Sequence, residues 1–352
     1  MQGIKSGVRK REIEVLRIWC TIAVCLHHLR YCSETLPYGG GYIAVDFFFI
    51  VSGFYLRKYF VTRNGTSGND VCKYIGKRYV RLIKDFIPAF TIALIVNIIY
   101  FDYNPISNLF LYIKEGLMIE IGCIDSALRI NPPDWYCGYL IIASGLTYMI
   151  LKYFKRRVIT CSLLVTFVTY AILWGLYGHI NIFPIQSCFI STALARAVAG
   201  QMLGVFLYEL MNWNSQKFVL SQRFIRISFV VLLMIVSYML FWDTAYRGSD
   251  YICVILLAVL FYLSQFVQFG VLLHVDCRIW NVLSELTYIV FLNHYIIVKM
   301  FGYYNVFQYM DWKIASILYL IIVVVFSIIM LQIRINIERL FLRIRSYGSD
   351  IN

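Results

Sequence analysis

The first apolar segment of the chain contains four side chains that could take part in chemistry inside a membrane: Glu14, Arg17, His27 and His28. Arg17 and His28 are eleven residues apart, which in an α-helix is three turns plus about 20°, so both lie on one face, about 16 Å apart along the axis. A neutral imidazole can accept a hydroxyl proton or attack a thioester. The spacing therefore predicts one of two arrangements. Either the face from Arg17 to His28 is a catalytic track through the membrane, or the two residues are structural and pair with other helices. His27 points about 100° away from His28 and is predicted to pack or to form hydrogen bonds.

Asp46, near the start of the second apolar segment, is the next candidate. Either Asp46 or Glu14 could orient His28 or balance a cation, and the residue types do not decide between them. A carboxylate near the N-terminus of a helix is also stabilised by the helix dipole, which is the structural alternative for Asp46. Ser52 and Gly53 follow on the same segment and predict close packing, because small side chains let two helix backbones approach.

Arg78 and Arg81 form a third candidate site within the basic run 77–84. Their i, i+3 spacing places them on one face of a helix, and each guanidinium offers a planar fork of donors to phosphate oxygens. The pair is therefore interpreted as a phosphate-binding site or, alternatively, as basic residues that flank a membrane span on its cytoplasmic side.

The elements that must position these residues are membrane helices. Of the 352 residues, 61% are hydrophobic and 14% are charged, whereas soluble domains are about 45–50% apolar and about 25% charged. The net charge of +13 is spread between apolar segments, so it indicates membrane topology and excludes a nucleic-acid surface. The ten cysteines are scattered without CxxC spacing, so neither a disulfide framework nor a metal site is predicted.

Hydropathy predicts an all-α membrane protein with ten transmembrane helices. Most of the 32 lysines and arginines then lie on the side of the N-terminus, which predicts that both termini are cytoplasmic. The ten predicted spans lie near residues 13–31, 41–59, 85–101, 136–151, 158–177, 189–210, 225–242, 251–273, 280–301 and 313–333.

Two further segments are predicted to lie at the membrane surfaces. The short apolar segment near 106–122 carries Lys114, Glu115 and Glu120 and is predicted to be an interfacial or re-entrant helix at the outer face. The stretch 334–345 interleaves arginine with apolar residues and is predicted to lie on an anionic inner leaflet. Residues 1–340 form the predicted membrane domain, and residues 341–352 form a short cytoplasmic tail.

Several motifs, in this order along the chain, resemble those of the acyltransferase 3 family. The spacing from Arg17 to His28 and the run Val45-Asp46-Phe47-Phe48-Phe49-Ile50-Val51-Ser52-Gly53-Phe54 are the most specific. Arg78-Tyr79-Val80-Arg81 is similar to the family's cytoplasmic Arg-x-x-Arg element. Trp135-Tyr136 is similar to its outer-face Trp motif, and the run from Leu283 to His294 is similar to its late signature. The chain departs from the pattern at three places: Glu14 and Lys84 stand where many members have Asp and Pro, and Trp135-Tyr136-Cys137-Gly138 lacks a Glu found in some subgroups.

The resemblance implies a multi-pass enzyme of the bacterial cell membrane. Such enzymes transfer an acyl group from a cytoplasmic donor, typically acetyl-CoA, to a surface polysaccharide, a lipopolysaccharide or another extracytoplasmic or lipid-linked glycan. Arg17 and His28 correspond to the family's essential pair, and Arg78 and Arg81 correspond to its donor-phosphate site. The expected partners are therefore acyl-CoA, a glycan acceptor and membrane lipids.

In the mechanism expected for such an enzyme, Arg17 together with Arg196 polarises the acyl carbonyl, the interaction that usually contributes most to acyl transfer. His28 activates the sugar hydroxyl or carries the acyl group. Trp135 and His294 are candidates for the acceptor site, although His294 is alternatively an interhelical hydrogen-bonding residue.

The alternative function is a transporter or flippase of a lipid-linked saccharide, in which the same buried charges line a path. The two halves of the chain show no evident repeat, and the basic run 77–84 suits an anionic donor. Both observations favour the enzyme.

Overall fold

The structure is a computed structural model that describes residues 10–63, 69–104, 106–107, 109–119, 129–180, 191–214, 221–242, 248–270 and 276–349. All regular secondary structure in these ranges is helical. The helices are α1 (Arg11–Leu29), α2 (Ala44–Thr62), α3 (Asn69–Tyr100), α4 (Leu109–Gly116), α5 (Trp135–Tyr153), α6 (Val158–Tyr177), α7 (Thr192–Asn214), α8 (Gln222–Phe241), α9 (Ser249–Ser264), α10 (Cys277–Tyr303), α11 (Val306–Tyr309) and α12 (Trp312–Ser349).

Each of the ten predicted spans coincides with one long helix of the described chain, and the additional helix predicted near 106–122 coincides in part with α4. Within the described residues, six helices are long and apolar enough to cross a membrane, namely those at 70–100, 155–177, 192–213, 222–241, 277–303 and 312–340. The others are either shorter, as α9 is with 16 residues, or carry more polar side chains, as α1 does. The chain is therefore an all-helical, multi-pass membrane protein, while the count of ten spans and the side of each terminus stay predictions.

The outer surface of the helix bundle is apolar. Phe167 on α6, Ile235 on α8 and Ile329 on α12 are 76%, 46% and 52% exposed. A water-soluble fold rarely leaves many large apolar side chains on contiguous surface, whereas lipid solvates them at no cost. These helix faces are therefore the lipid-facing surface, and the charged residues of α1 and α2 turn toward the interior.

Helices α2 and α7 pack closely through glycine. A side chain at Gly53 would collide with the backbone oxygen of Gln201, and one at Gly204 would collide with that of Ile50. Close backbone approach through small residues is the usual way in which membrane helices gain contact area. The packing predicted for Gly53 is therefore confirmed, and it holds the residues of α2 and α7 that line the site described below.

Three helix ends differ from the predictions by more than a few residues. The third span was predicted to begin near residue 85, but α3 begins at Asn69, because hydropathy marks only the apolar part of a helix and the preceding basic run is helical as well. The eighth span was predicted to reach residue 273, but α9 ends at Ser264. The following backbone is bound by side chains of other helices, because Arg226 donates to the Gln268 oxygen at 2.9 Å and Glu12 accepts from the Phe269 nitrogen at 3.4 Å. Hydropathy cannot show that such side chains will replace the helical hydrogen bonds of an apolar segment.

The C-terminal basic stretch is continuous with the last span, since α12 runs without a break from residue 312 to 349. Arg334, which was predicted to face lipid headgroups, turns toward the bundle. Its guanidinium donates to Asp85 of α3 at 3.0 Å and to Glu285 of α10 at 2.5 Å. The ion pairs join three helices at this end of the bundle, so at Arg334 the prediction of a lipid-facing charge was wrong.

Candidate functional site

Helices α1 and α10 contact each other at both ends of the predicted catalytic track. Arg17 Nη1 donates to Ser284 Oγ at 2.6 Å and to Glu14 Oε2 at 2.8 Å. Eleven residues further along α1, His28 Nδ1 lies 3.0 Å from His294 Nε2. Because both contacts keep the chain order, α1 and α10 run parallel.

The hydrogen bonds of the two imidazoles define their protonation. His294 Nδ1 lies 2.6 Å from the Phe291 oxygen, and a carbonyl oxygen only accepts, so this nitrogen carries a proton. In the neutral ring His294 Nε2 is then an acceptor. His28 Nδ1 lies between this acceptor and the Val24 oxygen at 3.0 Å, so it also carries a proton. The Nε2 atom of His28 therefore keeps its lone pair, as a general base requires.

This arrangement identifies His294 as the residue that orients His28, a role for which the sequence suggested Asp46 or Glu14. Glu14 is 5% exposed and accepts from Arg17. It thus acts on the guanidinium at the other end of the track.

Asp46 takes part in a buried ion pair with Arg196. The Asp46 carboxylate is completely buried and accepts from Arg196 Nε at 3.0 Å, from Arg196 Nη2 at 2.5 Å and from the Tyr170 hydroxyl at 3.0 Å. Arg196 Nη2 also donates to the Tyr42 oxygen at 2.8 Å. Buried charges are tolerated when each is paired and hydrogen-bonded in this way. The pair therefore joins α2, α6 and α7 into one wall of the site.

A cavity of about 40 Å³ opens between these helices, with space for about three water molecules at ~10–15 Å³ each. It brings together His27, His28, Arg196 and Trp135, which are far apart in the sequence. The other lining residues are mostly aromatic side chains and prolines: Val24, Tyr31, Tyr42, Val45, Pro132, Pro133, Tyr136, Ala193 and Phe291. Apolar walls with a few converging polar groups are typical of small-molecule sites.

His27 occupies the edge of the same cavity. Its Nδ1 donates to the Tyr38 oxygen at 3.1 Å, and its ring packs edge-on against Tyr42 with centroids 5.2 Å apart. These contacts agree with the packing and hydrogen-bonding role predicted for His27.

The candidate donor site begins where Arg78 reaches from α3 toward α2. Arg78 Nη2 donates to Ser52 Oγ at 2.8 Å, and Nη1 donates to the Tyr74 hydroxyl at 3.0 Å. Arg78 is half-buried, while Arg81 is exposed. The two arginines therefore lie at different depths, and Ser52 has a hydrogen-bonding role in addition to the packing role predicted from its size.

Three of the candidate arginines, Arg78, Arg17 and Arg81, share one electrostatic neighbour, namely Tyr136. All three act electrostatically on the hydroxyl of Tyr136, which is 8% exposed and belongs to the second position of α5. Tyr136 also lines the cavity that contains His28. In the sequence, Tyr136 stands out only as the neighbour of Trp135, and no sequence signal indicates that it lines the cavity of His28.

The rim of the cavity is held by α4, the predicted surface helix. The buried carboxylate of Glu115 accepts from the backbone nitrogens of Ile130 and Asn131, each at 3.0 Å. The Asn131 side chain donates to the Leu292 oxygen on α10 at 2.8 Å. These bonds fix the segment that carries Pro132 and Pro133 to the cavity, a function of α4 that the sequence did not reveal.

Comparison with known families and proteins yields one match. The family model Acyl_transf_3, described as an acyltransferase domain, matches residues 10–332, which include every residue of the site described above. No curated protein and no solved structure matches the chain. Among the described residues, no group of three or more His, Cys, Asp or Glu side chains could hold a metal ion.

Proposed function

Because the chain belongs to the acyltransferase 3 family and is a membrane acyltransferase, we propose that it transfers an acetyl group from cytoplasmic acetyl-CoA to a hydroxyl of an extracytoplasmic or lipid-linked glycan. On this proposal the protein lies in the bacterial cell membrane, spans it ten times and has both termini in the cytoplasm.

The observation that carries the proposal is the protonation state of the His28 imidazole. Its Nδ1 proton is held by His294 and Val24, so Nε2 keeps a lone pair beside the cavity. A base without a competing protein partner can accept the proton of a sugar hydroxyl. The aromatic and proline walls of the cavity, including Trp135, supply apolar surface of the kind on which the faces of a sugar ring pack.

We assign the binding of the acyl donor to Arg81, Arg78 and Arg17. Acetyl-CoA carries several phosphates, and the exposed Arg81 is suited to bind them at the membrane surface. Arg78 is half-buried and donates to Ser52, and Arg17 is half-buried and donates to Ser284. A chain of cations of this kind would bring the thioester toward Tyr136 and the cavity.

The reaction is a direct transfer. The acceptor oxygen bonds to the thioester carbon while its proton moves to His28 Nε2, and the carbonyl electrons move onto oxygen. The carbonyl then forms again, the carbon–sulfur bond breaks, and the His28 imidazolium returns the proton to the leaving thiolate. His28 is unchanged, and the products are an ester and free CoA.

The experiment follows radiolabelled acetyl from acetyl-CoA into glycan with purified protein in proteoliposomes. Wild-type protein is expected to transfer label, and His28→Ala is expected to lose a factor of about 10² or more in kcat because it lacks the base. His27→Ala is the matched control, since it removes the neighbouring imidazole from the same cavity, and a much smaller loss is expected.

Expression and monodispersity in detergent are checked for each variant. If the wild-type protein moves a lipid-linked saccharide across the bilayer without transferring label, the proposed acyl transfer is refuted and the transporter function is supported. Near-normal transfer by folded His28→Ala would refute the role of His28.

A further inference from the structure

Tyr136 is associated with both parts of the site, the arginines and the cavity that contains His28. Its ring lies in an aromatic cluster, with centroids 5.0 Å from Phe49 of α2 and 5.2 Å from Phe291 of α10. The side chain is more than nine-tenths buried and lines the cavity of His28. Packing against two other helices therefore holds the direction of its hydroxyl, as a preorganised group requires.

The hydroxyl of Tyr136 forms no hydrogen bond to any residue in the described part of the chain, unlike the hydroxyls of several other buried tyrosines. Tyr42, Tyr170 and Tyr319 each donate to a carboxylate or a backbone oxygen. Because Tyr136 lines the cavity, its hydroxyl is available to donate to a ligand that enters there.

The electrostatic surroundings favour one type of ligand atom. The positive charges of Arg78, Arg17 and Arg81 act on the Tyr136 hydroxyl. Positive potential at a hydroxyl donor stabilises an oxygen that is gaining negative charge. The general base His28 lies on the same cavity, where the attacking hydroxyl would lose its proton.

We infer that Tyr136 is a catalytic residue that donates a hydrogen bond to the acyl carbonyl oxygen while this oxygen becomes the oxyanion of the tetrahedral intermediate. The inference rests on the proposed acyl transfer. As the acceptor oxygen bonds to the carbonyl carbon, the π electrons move to the carbonyl oxygen, and Tyr136 stabilises that charge without giving up its proton. When the carbon–sulfur bond breaks, the electrons return and the hydrogen bond weakens.

The test is Tyr136→Phe, which removes the hydroxyl and keeps the packed ring. Loss of one oxyanion donor lowers kcat by about 10²–10³-fold in other acyl-transfer enzymes, so a fall of at least about 10²-fold is expected. The KM for acetyl-CoA is expected to stay within about threefold, because the arginines and not Tyr136 bind the donor phosphates. Thermal unfolding in detergent is expected at an unchanged temperature, because no protein hydrogen bond is lost.

Tyr148→Phe is the matched control. Tyr148 is also a buried tyrosine whose hydroxyl has no hydrogen bond within the described residues, but it packs against Phe60 and Tyr74, away from the cavity. Its activity is expected to equal that of the wild type. If Tyr136→Phe is not recovered as a monodisperse protein, Tyr136→Leu removes the same hydroxyl and is expected to give the same loss in kcat.

The outcomes separate this inference from the proposed function. Wild-type protein that transfers no acetyl would refute the proposed function itself. Normal kcat in folded Tyr136→Phe, or a change confined to KM, would overturn the role of Tyr136 and leave the acyl transfer in place.

Discussion

Replacement of His294 by leucine removes the acceptor of the His28 Nδ1 proton and leaves His28 with one fewer partner to hold its orientation. In the intact protein the two nitrogens are 3.0 Å apart, and His294 is itself fixed through the Phe291 oxygen at 2.6 Å. During acyl transfer His28 becomes an imidazolium. The bond to His294 is then a hydrogen bond from a charged donor in a buried site, and such bonds contribute about 1.5–3 kcal/mol.

This free energy sets the size of the expected effect. Because about 1.4 kcal/mol in the barrier corresponds to a factor of ten in rate, His294→Leu should lower kcat by about 10- to 150-fold. The KM for acetyl-CoA should not change, because His294 contacts His28, at the opposite end of the track from Arg17, and contacts neither of the proposed donor-binding residues Arg78 and Arg81 through a hydrogen bond described above. His294→Gln should recover part of the loss, since an amide oxygen can accept from His28 Nδ1.

The assay is the transfer of labelled acetyl, with kcat and KM for acetyl-CoA measured separately. Tyr319→Phe is the control, because Tyr319 donates to the backbone oxygens of Cys25 and His294 without contacting the imidazoles. A folded His294→Leu protein with kcat within threefold of the wild type would refute the reasoning, since His294 would then be a packing residue only.

Three other predictions concern the donor site, the ion pair and the topology. Changing Arg78 and Arg81 together to Gln should raise the KM for acetyl-CoA by at least about tenfold with little effect on unfolding, since charged hydrogen bonds to phosphate are lost; an unchanged KM would leave the arginines as topological residues. Asp46→Asn should destabilise the protein by about 3–5 kcal/mol, measured as a lower midpoint of thermal unfolding in detergent, because it breaks a fully buried ion pair; a shift of less than about 1 kcal/mol would contradict this. In a variant without native cysteines, an impermeant thiol reagent applied to intact cells should label Lys313→Cys and spare Arg156→Cys, and the reverse pattern would overturn the topology.

The positions of the helices followed from hydropathy because a membrane span has a minimum length of apolar residues, and the long helices were predicted within a few residues at most ends. The exceptions have local causes. The end of α9 depends on the side chains of Arg226 and Glu12, which bind the backbone of the next segment. The direction of Arg334 depends on Asp85, which is distant in the sequence.

Helical spacing predicted which residues of α1 share a face, but it could not show which helices that face contacts. The ring of His28 meets that of His294, 266 residues later, and Asp46 meets Arg196, 150 residues later. Each of these residues was a candidate from its type or motif, and only the packing of the bundle assigns the pairs. The hydroxyl of Tyr136 is a clearer case, since its position beside the arginines depends on three helices at once.

The aromatic cluster of Tyr136, Phe49 and Phe291 also bears on the energetics of the cell. Tyr136 and Phe291 line the histidine cavity, and the ring centroid of Tyr136 lies 5.0 Å from that of Phe49 and 5.2 Å from that of Phe291. An ion keeps a hydration shell that such apolar rings exclude, whereas a neutral acetyl group needs no water. On the proposed function, a site arranged in this way passes the acetyl group from the cytoplasmic donor toward the acceptor while the proton and sodium gradients across the membrane are preserved.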